Sequence, residues 1–110
     1  MPTPGQPVRG SRSGEPIMAL LDLLGRRWAM RVIWELRGDE PLNFRALQQR
    51  CGGMSSSVLN RRLAELRAAG IVGQAKGGYG LTDEGRALLE LYPGLSAWAQ
   101  RWDRRVRSDG

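Results

Sequence analysis

The chain has 110 residues but no histidine, one cysteine, one lysine and one phenylalanine. Without histidine it lacks the side chain that most often serves as general base or metal ligand near neutral pH. No cluster of Cys, Asp and Glu with metal-ligand spacing takes its place, and no Gly-rich phosphate loop leads into a helix with a lysine. Ser55, Ser56 and Ser57 have no evident general base, while Asp22, Glu35, Asp83 and Glu84 read as surface charges or helix first-turn residues. The expectation is therefore a protein that is not an enzyme and needs no cofactor or metal. A lone Cys51 excludes an internal disulfide framework and suits a reducing interior. The longest apolar run, IMALLDLLG, is too short to span a bilayer and is broken by Asp22. The first residues lack the apolar stretch of a signal peptide. These absences predict a soluble, cytoplasmic protein with no membrane partner.

What is present divides the chain into three parts. MPTPGQPVRGSRSGE is made of Pro, Gly, Ser, Arg and a few small or polar residues, and it can bury little apolar surface. Residues 1–14 are expected to be a disordered N-terminal arm. The end, RRVRSDG, reads the same way, so residues 103–110 are expected to be a flexible basic tail. One domain over 15–102 remains. A core of that size is modest, and association with a second copy would help it.

The formal net charge is +6. Most of the excess falls in residues 41–76, where six basic residues face Glu65 alone. Of the 17 basic residues, all but Lys76 are arginine, a bias that the codon composition of a GC-rich genome accounts for. Composition does not account for the clustering, which suits an anionic partner, nucleic acid first.

Apolar spacing predicts a mainly helical chain. Ile17, Leu20, Leu21 and Leu24 form one stripe, begun by Pro16 and ended or kinked by Gly25. Trp28, Val32, Ile33 and Leu36 form a second stripe, stopped by Gly38. Pro41 makes residues 40–42 extended, a candidate for a very short edge strand. Asn43 caps a third helix, FRALQQRC, which Gly52 and Gly53 stop. Ser55 caps a fourth, with Met54 and Leu59 at hydrophobic-staple spacing. Gly70 and Ile71 stand at C′ and C″ of that helix, the Schellman arrangement against Leu66. A Gly77-Gly78 pair then offers positive φ for a tight hairpin. Thr82 caps a last helical region, which Pro93 breaks near Tyr92. Two short helices joined by a tight turn make a helix-turn-helix, and a hairpin directly after the second is a wing. The fold class is mainly α with a small β-hairpin wing.

Stepping about 100° per residue from Leu59, the buried arc of the fourth helix holds Leu59, Leu63 and Leu66. Arg61 falls at about 200°, with Ser57, Ala64 and Ala68 within roughly 60° of it. The outward face is thus small and polar around one long cation, able to enter a groove deeply. Arg61 has the geometry for guanine O6/N7 and Asn60, toward one edge, for adenine N6/N7. Ser55, Ser56 and Ser57 add hydroxyls and backbone N–H groups at the positive end of the helix dipole, a phosphate site. Arg62, at about −60°, lies beside the core and reaches toward the backbone or a neighbouring carboxylate. Arg62, Asn43, Arg45 and Lys76 complete the DNA-binding set.

The stretches EPIMALLDLLGRRWAMRVIWEL, LNFRALQQRCGGMSSSVLNRRLAELRAAGIV and YGLTDEGRALLELYPGLSAWAQRW together resemble the HxlR-type winged helix-turn-helix transcriptional regulators, relatives of the MarR family. The likeness covers roughly residues 15–102. Its most specific parts are G-x-x-W (Gly25 to Trp28), S-x-x-L-x-x-R-L-x-x-L-x-x-x-G-I (Ser56 to Ile71) and L-T-x-x-G (Leu81 to Gly85). The resemblance implies a cytoplasmic bacterial homodimer that binds an operator, with Ser56–Ala69 as recognition helix. It also implies dimerisation through the first helix and the C-terminal helical region. Ile17, Leu20, Leu21, Leu95, Trp98 and Trp102 are the candidate contacts, although the same residues would serve equally as intrachain core. Many members carry a cysteine just before the first-helix proline; here Glu15 stands there, so thiol sensing at that position cannot operate. Cys51 reads instead as a small semi-buried hydrophobe. The wing is shorter than in relatives, and Lys76 at its tip is expected to make a single phosphate contact. A small-molecule effector is compatible with this reading, but no residue names one. The rival reading is a winged-helix protein-docking module; the absence of apolar anchors on the outward face of the fourth helix counts against it.

Overall fold

A computed structural model describes residues 15–109. The arm expected over 1–14 lies outside the described residues. Six helices and one hairpin follow in the order α1 (Pro16–Leu24), α2 (Ala29–Glu35), α3 (Phe44–Arg50), α4 (Ser56–Ala68), β1 (Val72–Ala75), β2 (Gly78–Leu81), α5 (Asp83–Leu89) and α6 (Tyr92–Asp109). The core lies where α2, α3, α4 and the hairpin meet. Val32, Ile33, Leu36, Leu47, Leu59 and Leu66 are among its largest fully buried apolar side chains.

Local chemistry sets the ends of α4. Ser55 Oγ accepts the Val58 N–H at 3.2 Å, and Met54 and Leu59 are both buried in the core. At the far end Gly70 takes φ +76. The Ile71 N–H then donates to Leu66 O at 2.9 Å and the Gly70 N–H to Arg67 O at 3.0 Å. That is the complete Schellman pattern. The link between α3 and α4 turns on Gly52 and Gly53, both at positive φ.

The wing is a four-residue antiparallel pair, Val72 opposite Leu81 through Ala75 opposite Gly78. Its two-residue turn is therefore Lys76-Gly77, not Gly77-Gly78. Gly78 belongs to the strand; it takes the expected positive φ of +152, and a second constraint also requires glycine there. A Cβ there would stand 2.2 Å from Leu42 O. Leu42 pairs with Tyr79 through two backbone hydrogen bonds, of 3.0 and 2.8 Å. The extended residues before α3 thus form a third, one-residue strand on the outer edge of the wing.

Thr82 ties α5 to the end of α4. Its Oγ1 accepts the Gly85 N–H and donates toward Gly70 O and Ile71 O. Gly85 is buried against Ile71, whose carbonyl oxygen would lie 2.2 Å from any Cβ. The L-T-x-x-G run is therefore a packing device. The predicted break at Pro93 falls between α5 and α6, where proline at the second helical position lacks only an N–H that would be unpaired anyway.

Two expectations need correction. Residues 103–109 are not a tail beyond the domain but the last turns of α6. No Gly or Pro interrupts them, and Arg107 pairs with Asp103 one turn back at 2.9 Å. Cys51 is fully buried rather than half exposed.

Candidate nucleic-acid interface

The helix-turn-helix is α3, residues 51–55 and α4. Gln48 of α3 braces it, donating from Nε2 to Met54 O at 2.9 Å and to Ser56 Oγ at 3.1 Å. The second bond leaves the Ser56 hydroxyl proton free to donate outward. Gln48 was absent from the sequence-derived set; its spacing to Ser56 becomes meaningful only once the two helices are placed. On the other side Arg67 donates to Gln74 Oε1 at 3.2 Å, joining α4 to β1. The start of α3 lies against the wing, because Asn43 N is among the atoms nearest the missing Cβ of Gly78. Helix, turn, helix and wing thus form one surface.

Ser55, Ser56, Ser57, Asn60 and Arg61 are exposed on α4, as are Ala64 and Ala68. Asn43, Arg45 and Lys76 are exposed around them. Asn43 Oδ1 accepts the Ala46 N–H at 2.8 Å, so its carbonyl is spent on the α3 cap and its NH2 group is available. The Val58 N–H of α4 goes to Ser55, whereas those of Ser56 and Ser57 face outward at the positive end of the helix. Arg61 makes no hydrogen bond or ion pair among the described residues.

Arg62 does not belong to this surface. Its side chain is 13% exposed; Nε donates to Arg27 O at 2.7 Å and Nη1 to Glu65 Oε1 at 2.6 Å. One residue of helix rotation, about 100°, turns it from the outer face to the flank beside the core. There Glu65 also takes Arg26 on its other oxygen, and Arg26 binds Asp22 at 3.0 Å. Burial works to lower the Arg26 pKa, but Asp22 and Glu65 outweigh it and hold the guanidinium above its ordinary value.

On another face, Ile17, Leu21, Leu95, Trp98 and Trp102 are each more than half exposed, which removes them from the intrachain core. Trp98 and Trp102 stack with centroids 5.9 Å apart. Leu20 is half-buried beside them. An apolar groove of about 560 Å³ runs between α1 and α6, with Ile17, Leu20, Leu21, Leu95 and Trp98 in its walls. Among the described residues no helix is long and apolar enough to cross a membrane.

The helix-turn-helix, the hairpin and the bare polar face define a winged-helix DNA-binding domain. The family model for the HxlR-like helix-turn-helix matches residues 23–107. The chain is 32% identical over 90 residues to BH0655 of Halalkalibacterium halodurans, covering 76% of this chain and 80% of that one. It is 29% identical over 89 residues to YvaP of Bacillus subtilis, covering 74% and 82%. Both are named as HTH-type transcriptional regulators. Among solved structures, quinone-bound YodB from B. subtilis superposes with a TM-score of 0.72 at 32% identity, covering 77% of this chain and 96% of that one. A protein of Thermoplasma volcanium, described as a possible HxlR family transcriptional factor, gives 0.67 at 32% identity, covering 82% and 86%. This chain belongs to the HxlR-like helix-turn-helix family and is a DNA-binding transcriptional regulator.

Proposed function

We propose that the protein acts in the cytoplasm as a homodimer on a two-fold operator, each α4 lying in a major groove. The carrying observation is the outer face of α4: Arg61, without a partner among the described residues, set among Ser57, Ala64 and Ala68. Small neighbours let the helix sit deep enough for Arg61 to reach a guanine edge, with Asn60 beside it for adenine. Ser55, Ser56 and Ser57 meet a phosphate, and Arg45 and Lys76 neutralise two more. The exposed apolar face of α1 and α6 is the dimer contact, spacing two recognition helices about 34 Å apart, one DNA turn. No residue of this reading performs a catalytic step. The groove beside Trp98 would also admit a small apolar effector, a reading supported by the quinone bound in the YodB structure. Binding there would be non-covalent, because the chain's single cysteine is buried elsewhere.

Selection of bound fragments from random duplex DNA, run at two salt concentrations, tests the reading. A two-fold motif is expected. Arg61→Ala should cost about 1–3 kcal/mol on that motif and relax one position per half-site. No enriched motif, or an Arg61→Ala protein as tight and selective as wild type, would overturn it.

A further inference from the structure

Arg62, Glu65, Arg26 and Asp22 form a continuous charged chain, and its endpoints matter. Glu65 and Arg62 stand on α4, one turn apart. Asp22 stands on α1, and Arg26 and Arg27 lie in the link from α1 to α2. Both carboxylate oxygens of Glu65 are taken, one by Arg26 and one by Arg62. Arg26 spans to Asp22, and Arg62 returns to the carbonyl of Arg27. The same link holds Trp28 at φ +76, the one non-glycine at positive φ among the described residues. Two stretches that look independent in the sequence, G-R-R-W and the R-L-A-E of α4, are therefore one bonded unit.

We infer that Glu65 is a positioning residue that fixes the recognition helix against α1, and so sets the operator half-site spacing the dimer accepts. This rests on the dimeric, major-groove reading above. Stability alone does not explain the chain. The four side chains are only 7–19% exposed, and the desolvation of such ions offsets much of their attraction. Arg26 Nε is buried with no acceptor among the described residues, so the network is not even fully satisfied there. What a bonded chain supplies is direction. Apolar packing between helices tolerates sliding, whereas two-point pairing of one carboxylate does not. α1 carries half of the apolar face given to the partner copy, and α4 carries Arg61. The angle between those helices sets the distance between the two Arg61 side chains in a dimer.

The test uses the full chain in two arms. Without DNA, residual dipolar couplings of backbone amides report the orientation of α4 relative to α1. In Glu65→Gln the α4 couplings should no longer fit the wild-type orientation, while those within each helix still do. With DNA, the selected motif is compared with duplexes whose half-sites are moved together or apart by a base pair. Wild type should prefer one spacing, and Glu65→Gln should lose roughly 2- to 30-fold on that spacing while its preference flattens. Arg26→Met/Glu65→Met removes the central pair and leaves Arg62 with the Arg27 carbonyl but without Glu65, so that it should unfold at a lower temperature than wild type yet, assayed where it is still folded, show the same flattened preference. A structural role alone would not separate these readouts. Unchanged couplings with an unchanged spacing profile in both variants would overturn the inference. Altered couplings with no motif enriched by wild type would leave the positioning role standing and sink the operator reading instead.

Discussion

Arg61 and Arg62 are neighbours with opposite fates, and helix rotation alone separates them. One projects from the face of α4; the other spends its guanidinium on Glu65 and the Arg27 carbonyl. The arginine-rich composition is divided in the same way elsewhere. Arg31 donates to Arg50 O at the end of α3, and Arg86 donates to Arg37 O and Gly38 O beyond α2. Such arginines satisfy helix C-terminal carbonyls and are not available to DNA. Within residues 41–76 Arg62 is spent on Glu65 and the Arg27 carbonyl, so charge counting on the sequence overstates the number of free cations there. Cys51, the C-cap of α3, is fully buried. Burial first, then the nearby Glu35 carboxylate, pushes its thiol pKa up. The native thiol keeps its proton where the unfolded thiol has lost it. Stability should thus be intact below the ordinary thiol pKa of about 8.5 and fall as pH rises above it. Urea unfolding across pH 7–10 checks the sign, because Cys51→Ala should remove that part of the slope. A thiol reagent should modify the native chain no faster than it unfolds; rapid native-state modification would contradict the burial.

At the scale of elements, what was legible in the sequence was what short-range chemistry decides. Ser55, Met54, Gly70 and Ile71 specify both ends of α4, and Pro93 separates α5 from α6. Leu42 was expected to be extended but its partner was not visible, since pairing with Tyr79 spans 37 residues. The surface residues of α4 followed from periodicity, whereas Gln48 and the Arg26–Glu65 contact depend on how α1, α3 and α4 are packed. The continuation of α6 to Asp109 was missed because an Arg-rich end resembles a tail in composition. Part of the role of Gly78 and all of that of Gly85 were hidden for a similar reason: Gly78 takes the positive φ expected of it, but at both positions another stretch of backbone also comes too close for a Cβ. Gly85→Ala should destabilise by about 1–3 kcal/mol or more, since backbone at Ile71 must move. Gly80→Ala, with nothing within 4 Å of its added methyl, should change stability by less than about 1 kcal/mol. Equal effects in urea unfolding would show that α5 is not docked on Ile71 as described.

For the whole molecule, the apolar face and the DNA face have to be read together. A lone chain would expose Leu95, Trp98, Trp102 and Val106 along α6 beside Ile17 and Leu21 of α1. A contiguous patch of that kind marks an interaction surface. In the proposed dimer a second copy covers this patch and doubles the base contacts that the Arg61 and Asn60 of one protomer could make. Trp98→Glu places a charge in that face without touching the core or α4. The variant should sediment as a folded monomer with unchanged helix content. Its operator affinity should fall by about a hundredfold or more, the loss expected when two linked half-sites are read separately. The salt dependence gives a second measure. With Arg45 and Lys76 on phosphates in each protomer, the dimer's slope of log K against log salt should be about −3.6, and the monomer's about half that. A monomer that bound the full operator as tightly as wild type would show that the exposed tryptophans serve some other contact. A variant still dimeric would move the interface away from α6. A halved slope with lost affinity would tie both to one assembly, in which the groove-lining face holds two copies of α4 at the distance the DNA requires.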